Sequence, residues 1–350
     1  MHLDVRGHPL HTRALSITLV QRADGRLDVQ GTLLDLRKRG FVPVGGDLQP
    51  SGIVHHMLLD AVVDPAAAVL DTIRAAQPTV AFEATATTGG ESCRDPIAAV
   101  EALAGVPLES GFAGRVSAAL GGARGCNHIL TLAHLLGSTA LRALERERAL
   151  PGPPRRPPGQ RVFRRDLVVD GHEAPEAALV LGLQLTDLHL APAPAVARPM
   201  DRFAGQHEVR ALVTVDLPSF AIIGARGAER SRDLATLAEA PWRARDAALA
   251  PLVGERLGAG VTGTLLARFA DKAADRPLLD GLLMLAPTMV QCMAALSEAW
   301  PLGAAHHPTL IGMGGLPDSC YMWRRDGVLT RTREAEGALP RALPPPRPGA

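Results

Sequence analysis

Aromatic side chains are scarce in this chain of 350 residues, where they make up 3% of the sequence and include a single tyrosine. Lysine and arginine together number 37, against 36 aspartates and glutamates, so the chain carries almost no net charge. A surface that binds nucleic acid usually combines a basic stripe with interleaved aromatic residues. Because neither feature is present, the sequence predicts a protein that does not bind nucleic acid.

Long apolar runs are missing too. Residues 1–12 include histidine, aspartate and arginine, and they lack the apolar core of a signal peptide. Residues 278–300 come closest to a membrane span, but Asp280 and Pro287 interrupt them, so we expect a buried core helix there. The expectation is a soluble protein without membrane contact, and the cytoplasm is the default compartment.

Cysteine is rare as well, with four residues in the chain and no Cys-x-x-Cys pair. Cytoplasmic cysteines are normally reduced, so no disulfide framework is expected. Cys292 lies in an apolar helical stretch and is expected in the core. The other three cysteines are Cys93, Cys126 and Cys320.

An internal repeat is the main feature that the sequence does contain. Residues 13–74 align without gaps with residues 165–226, and residues 103–139 align with residues 252–288. Three polar residues recur, in the pairs Arg13/Arg165, Asp35/Asp187 and His55/His207. Three reactive residues do not recur, because Cys93, Cys126 and His128 align with Trp242, Asp275 and Pro277. Only the first copy therefore keeps a full set of reactive side chains.

Each copy has the pattern of strands followed by helices. In the first copy, partial alternation and turn residues predict strands at residues 13–22, 27–37, 53–64 and 67–74. Residues 77–92 are rich in threonine and glycine and predict a loop, after which Asp95 is expected to cap a helix over residues 97–104. Further helices are expected at residues 111–120 and from the glycine-rich turn at 121–125 to about Glu147.

This order predicts an α+β fold, built as two tandem copies of an antiparallel β-meander packed by helices. A fused pair of this kind can replace a twofold dimer, so we expect a monomer with internal pseudo-twofold symmetry. The expected units are a first copy (1–150), a Pro-rich linker (151–162), a degenerate second copy (163–303), a C-terminal segment (304–335) and a disordered tail (336–350).

Several fragments together resemble a known bacterial family. They are His11-Thr-Arg13, Gly31-Thr-Leu-Leu-Asp35, His55-His-Met57, Cys93, Gly121-Gly-Ala-Arg-Gly-Cys126-Asn-His128 and Asp318-Ser-Cys320-Tyr. They resemble the family called domain of unknown function 2889, over the first copy and the C-terminal segment, while the second copy matches only in outline. The resemblance implies positions of interest and no particular chemistry.

Two kinds of site fit the reactive residues. Thiolates and imidazole are preferred ligands of zinc and iron, so Cys93, Cys126, His128 and Cys320 could form a metal site. Alternatively, Cys126 at a helix N-terminus could be a nucleophile, with His128 or His55 as its base. Arg13 or Asp35 would then orient the base or bind substrate, and the amides around Gly122 and Gly125 would offer an anion pocket.

The recurrence of Arg13, Asp35 and His55 in the copy that lacks the cysteines favours a structural role for them. A cross-strand pair of Arg13 and Asp35 on neighbouring strands is the form we expect. For the protein as a whole we keep three hypotheses. They are an enzyme acting on a small molecule, a non-catalytic metal, iron–sulfur or ligand carrier, and a structural pseudo-dimer that binds a partner.

Overall fold

The computed structural model describes residues 7–296, except 45–46, 110, 152–155, 195–196, 259 and 271, and also residues 317–335. The predicted tail at 336–350 and the part of the C-terminal segment before residue 317 lie outside the described residues. Ten strands form one antiparallel sheet with helices packed against it, which confirms the α+β fold.

The strands and helices were expected in this order along the chain. In the first half the sheet strands are β1 His8–Gln21, β2 Leu27–Arg37, β5 Gly52–Asp64, β6 Val69–Thr79 and β7 Val106–Pro107, while β3 Val42–Val44 and β4 Asp47–Gln49 pair separately. In the second half they are β8 Arg161–Ala174, β9 Ala178–Leu190, β10 Phe203–Asp216, β11 Ile222–Arg232 and β12 Arg243–Ala244. The helices are α1 Phe112–Leu120, α2 Asn127–Arg148, α3 Asp246–Leu249, α4 Val261–Phe269, α5 Arg276–Leu282, α6 Leu285–Leu296 and α7 Val328–Ala335.

The sheet has the same strand order on either side of its centre. From the central β1–β8 pair, the order is β1-β2-β5-β6-β7 in one direction and β8-β9-β10-β11-β12 in the other. The two central strands run antiparallel, and Leu15 lies opposite Leu167. These two leucines occupy equivalent positions in the aligned halves, so the pairing is unchanged when the halves are exchanged.

One face of the sheet carries the core. Alternate residues of β1 and β8 are buried on this face, and α2 and α6 pack across it. Helix α2 also bonds to the second half, since Ser138 Oγ donates to Asp280 Oδ2 at 2.6 Å and Arg142 Nε donates to Asp187 Oδ2 at 2.7 Å. The first strands and α2 therefore bring the two halves into direct contact.

Two local predictions were wrong. Strand β6 continues to Thr79, through residues assigned to a loop, because it pairs with β5 as far as His56 opposite Thr79. Pro78 is tolerated there because β6 has a sheet partner on one side only at this end. The helix expected after Asp95 is a 3₁₀ helix, Ile97–Leu103, without a side-chain cap, and Asp95 Oδ2 instead accepts a hydrogen bond from Ser92 N at 2.9 Å.

Two other segments were singled out in the sequence. Within the described residues, Ala273–Leu296 is long and apolar enough to cross a membrane, and 67% of its most apolar window is buried, as is typical of the core helix of a soluble protein. In the predicted linker, Arg156 is buried and binds both carboxylate oxygens of Glu147, at 2.8 and 2.6 Å. This end of the linker is therefore packed on the fold.

Candidate functional site

A row of three polar residues crosses the first-half strands on the helix-covered face. Arg13 on β1 lies opposite Asp35 on β2, and Asp35 lies opposite His55 on β5. Arg13 binds both carboxylate oxygens of Asp35, from Nε at 2.8 Å and from Nη2 at 2.7 Å. The predicted cross-strand pair is confirmed, and its bidentate geometry is the strongest form of such a pair.

Asp35 is the centre of the site and is fully buried. Besides Arg13, its oxygens face three histidine nitrogens: His11 Nε2 at 2.9 Å, His55 Nδ1 at 3.2 Å and His128 Nε2 at 3.3 Å. Burial alone would raise the pKa of Asp35, but the charge and hydrogen bonds of Arg13, followed by those of His11 and His128, hold it well below its usual range. Asp35 is therefore a carboxylate at neutral pH.

Cys126 and His128 are placed by the glycine-rich turn that precedes α2. Gly125 passes so close to Leu120 that an added Cβ would lie 2.5 Å from its carbonyl oxygen, which explains a glycine at this point. Cys126 is the N-cap residue of α2, and its Sγ lies 3.7 Å from Nδ1 of His128. Gln77 Nε2 donates to the same sulfur at 3.4 Å.

The thiol and the imidazole are both uncharged at neutral pH. Burial raises the pKa of Cys126, against the opposing effect of the backbone amides of Ile129 and His128 at the start of α2. Burial, followed by the nearby His55, lowers the pKa of His128 to about 3. The exposed fraction is 9% for Cys126 and 18% for the His128 side chain, so His128 is the more accessible of the two.

Asp35 fixes how His128 carries its proton. A buried carboxylate accepts hydrogen bonds and cannot donate them, so Nε2 of a neutral His128 carries the hydrogen toward Oδ2 of Asp35. Nδ1 is then left with a free lone pair, which faces the Cys126 thiol. The arrangement is a line of three groups, from the thiol through the imidazole to the carboxylate.

A second grouping shares two of these residues. Potential ligand atoms of Asp35, His55 and His128 all lie within 4.8 Å of one another. The rings of His55 and His128 stack with their centroids 3.8 Å apart. Nδ1 of His55 is buried and makes no well-aligned hydrogen bond with any described residue, despite its short distance to Asp35. A buried nitrogen in this state is available as a metal ligand.

The C-terminal segment reaches this site although the whole second half separates the two in sequence. Tyr321 N donates to Gly125 O at 2.9 Å, and Asn127 Nδ2 donates to Ser319 O. Gly122 has a φ of +60°, which favours glycine, and lies beside the carbonyl oxygen of Asp318. Gly122 and Gly125 thus also form the contact with the C-terminal segment.

Cys93 and Cys320 lie near Cys126. Both pack against a small apolar cluster around Phe82 and Met322. Burial, followed by the proximity of Cys126, raises the pKa of both thiols, that of Cys320 to about 11. All three thiols are therefore protonated at neutral pH.

The structure brings together every site residue selected from the sequence, but it groups them differently. Within the described residues, the potential metal ligands that lie close together are Asp35, His55 and His128. Of the predicted metal ligands this group contains only His128, and Asp35 and His55 take the place of the cysteines. The sequence does not single out two contributors: His11, which stands out only as part of a family fragment, and Gln77, which lies in a stretch with a loop composition. The fourth cysteine, Cys292, is buried in the core under Gly171, as expected.

Comparison with known proteins gives a family match within the first half of the chain. Residues 11–142 match the model of the family described as "Protein of unknown function (DUF2889)". No curated protein matches the chain. The matched segment holds Arg13, Asp35, His55, Cys126 and His128, so the first half of the chain contains a DUF2889-like domain with the candidate site inside it.

Proposed function

We propose that the protein is an enzyme in which Cys126 attacks an electrophilic carbonyl carbon of a small molecule. The line from Cys126 through His128 to Asp35 carries this proposal. Nucleophile, base and orienting carboxylate in this order are the arrangement that covalent catalysis needs. Because the pKa of Cys126 is raised, the thiol is protonated in the resting protein and loses its proton only as it attacks.

In the proposed reaction each of these residues has a defined role. His128 Nδ1 takes the proton from Sγ while the sulfur forms a bond to the carbonyl carbon, and the carbonyl oxygen becomes negative. His128 then gives this proton to the leaving group, and a thioester remains on Cys126. Water, activated by His128, hydrolyses the thioester and restores the thiol. Asp35 stabilises the imidazolium that forms in both halves of the reaction.

Groups that can stabilise the negative oxygen lie next to the sulfur. The amides at the start of α2 and the Gln77 side chain already donate toward Cys126. Arg13 is close enough for its charge to lower the pKa of Cys126, and its buried Nη1 has no hydrogen-bond partner among the described residues. This unused donor supports the role in substrate binding that the sequence suggests for Arg13.

Acylation by a chromogenic ester, p-nitrophenyl acetate, tests the proposal. We expect a burst of one equivalent of p-nitrophenol per chain and an acetyl group on Cys126, located by peptide mass spectrometry. Removing the base in His128→Gln should slow the burst at least about 100-fold. Cys292→Ala removes another buried thiol and should leave the burst intact. Acylation that survives Cys126→Ala, or a burst unaffected by His128→Gln, would contradict the proposal.

A metal site is the second candidate, supported by the Asp35, His55 and His128 group and by the unpartnered nitrogen of His55. Neutral imidazoles and a carboxylate are suitable zinc ligands. We rank this candidate second because the guanidinium of Arg13 binds both oxygens of Asp35 and repels a cation. A bound zinc would take Nε2 of His128 as a ligand and leave the proton on Nδ1.

Zinc binding should depend on His55 and not on its neighbour if the second candidate holds. Calorimetric titration of metal-free protein with zinc is then expected to give one site per chain, with an affinity at least tenfold lower in His55→Gln. His56→Gln is the matched control, since alternation along β5 directs His56 to the opposite face of the sheet. Equal affinities for both variants, or no saturable binding, would rule out zinc at this site.

We further propose that the two halves arose by duplication and that the second half supports the first in a monomer in the cytoplasm. The matching strand order on both sides of β1 and β8 supports this. So does the second-half pair of Arg165 and Asp187, which repeats the bidentate geometry of Arg13 and Asp35 at 2.6 and 2.8 Å.

A further inference from the structure

The second half contains a cavity of about 430 Å³ at the position that corresponds to the first-half site. Asp187 and His207 line it, and they align with Asp35 and His55. In place of a cysteine and a histidine, α2 contributes Arg142 and Arg146 to the wall. The volume falls in the range of pockets that bind small organic molecules.

The one deeply buried acid of the lining already has its charge matched. Asp187 receives two bonds from Arg165, and a third, at 2.7 Å, from Nε of Arg142. The other lining acid, Asp233, is exposed and accepts hydrogen bonds from Thr236 within its own turn. Neither carboxylate therefore depends on a cation from outside.

The arginines that line the same cavity differ in whether they have an acidic partner. Arg146 lines the cavity, is exposed to solvent, and makes no hydrogen bond or ion pair with any described residue. Arg232 is different, because its Nη2 bonds Glu208 at 2.9 Å. The pKa of His207 is lowered to about 4, first of all by burial. The positive charges of Arg142, Arg146 and Arg165 lower it further and outweigh the negative charge of Asp187.

His207, which lines this cavity, has an unused polar atom. Its side chain is 8% exposed, and Nδ1 lies 2.8 Å from Oγ of Ser231. Nε2 is buried without a hydrogen-bond partner among the described residues, and the nearest carboxylate oxygen, of Glu229, is 4.0 Å away. When Nδ1 accepts from Ser231, Nε2 carries the hydrogen and is a free donor.

We propose that this cavity binds a small organic anion, through a carboxylate or phosphate group held by Arg146, Arg142 and Nε2 of His207. Arginine suits both groups because its planar fork matches their oxygens. The ligand would supply the acceptor that His207 lacks and the negative charge that Arg146 lacks. Loss of the cysteine and histidine from the second half would then mark a change from reaction to binding.

Titration calorimetry of the full chain with inorganic phosphate and with succinate tests this. At least one probe should bind saturably at one site per chain. Binding of phosphate alone identifies a phosphate ester as the ligand class, and binding of succinate alone identifies a carboxylate. Arg146→Gln should weaken binding about tenfold, the effect of losing a hydrogen bond to a charged group.

The matched control is Arg148→Gln, which removes the same charge from the exposed last residue of α2, outside the cavity lining. It should change the affinity by less than a factor of two. The proposal is overturned if neither probe binds, or if Arg148→Gln weakens binding as much as Arg146→Gln does. Either outcome is independent of acylation at Cys126, because the two sites share no side chain.

Discussion

Replacing Asp35 with asparagine is expected to lower the free energy of unfolding by about 3–5 kcal/mol, the usual cost of breaking a buried ion pair from one side. The amide matches the carboxylate in size, so packing is preserved, while the negative charge and one of the two acceptor oxygens are lost. Arg13, which is 1% exposed, keeps a full positive charge and loses its only counter-ion in the row. One oxygen becomes an amide nitrogen, so either His11, which faces Oδ1, or His128, which faces Oδ2, also loses its acceptor.

Urea unfolding followed by circular dichroism measures this change, and Asp166→Asn is the control. Asp166 pairs with Arg164 at 2.6 Å, but the two side chains are 40% and 41% exposed, so water replaces the lost partner. An exposed pair of this kind contributes less than about 1 kcal/mol. Similar costs for the two substitutions would show that Asp35 does not hold the charges of the site together.

The pair of Arg13 and Asp35 could be predicted because two strands joined by a tight turn pair locally. The turn after β1 and the alternation of both strands fix the register, and the register places Arg13 opposite Asp35. The same reasoning could not give the role of Asp35. Five nitrogens from four side chains face its two oxygens, and that count depends on how α2 crosses the sheet.

The remaining parts of the site depend on contacts between distant segments. Gln77 reaches Cys126 only because β6 continues beyond the residues that carry a strand pattern. Cys320 lies near Cys126 because the C-terminal segment bonds to Gly125, which no local periodicity encodes. Arg142 belongs by sequence to the first half but binds Asp187 of the second. Composition and spacing identify such residues as candidates without showing which of them meet.

Mild acid should destabilise the protein well before its carboxylates are protonated. Burial lowers the pKa of His128 to about 3 and that of His207 to about 4, whereas the unfolded chain has the ordinary value near 6.5. Between these values the unfolded state binds more protons than the folded state, so stability falls as pH falls. The contribution is fully present above about pH 6.5 and is lost progressively toward pH 3 to 4.

The size of the effect follows from the same linkage. At pH 5 each of these two histidines should lower the free energy of unfolding by about 2 kcal/mol relative to neutral pH. Together the two losses approach half of the stability of a typical domain. Burial also lowers the pKa of His11, which adds to the loss in the same direction. Urea unfolding at half-unit steps from pH 7.5 to pH 4.5 measures the curve.

Single substitutions then assign the slope to its sources. Near pH 5, His128→Gln and His207→Gln should each flatten the dependence by about 1.4 kcal/mol per pH unit, which is the contribution of one proton. Each variant has its own stability at pH 7.5, so the comparison uses the slope and not the absolute value. A slope that neither substitution changes would mean that these imidazoles exchange protons equally in the folded and unfolded states. Burial would then not hold His128 in its neutral form, and a part of it would be protonated at neutral pH and unable to act as the base.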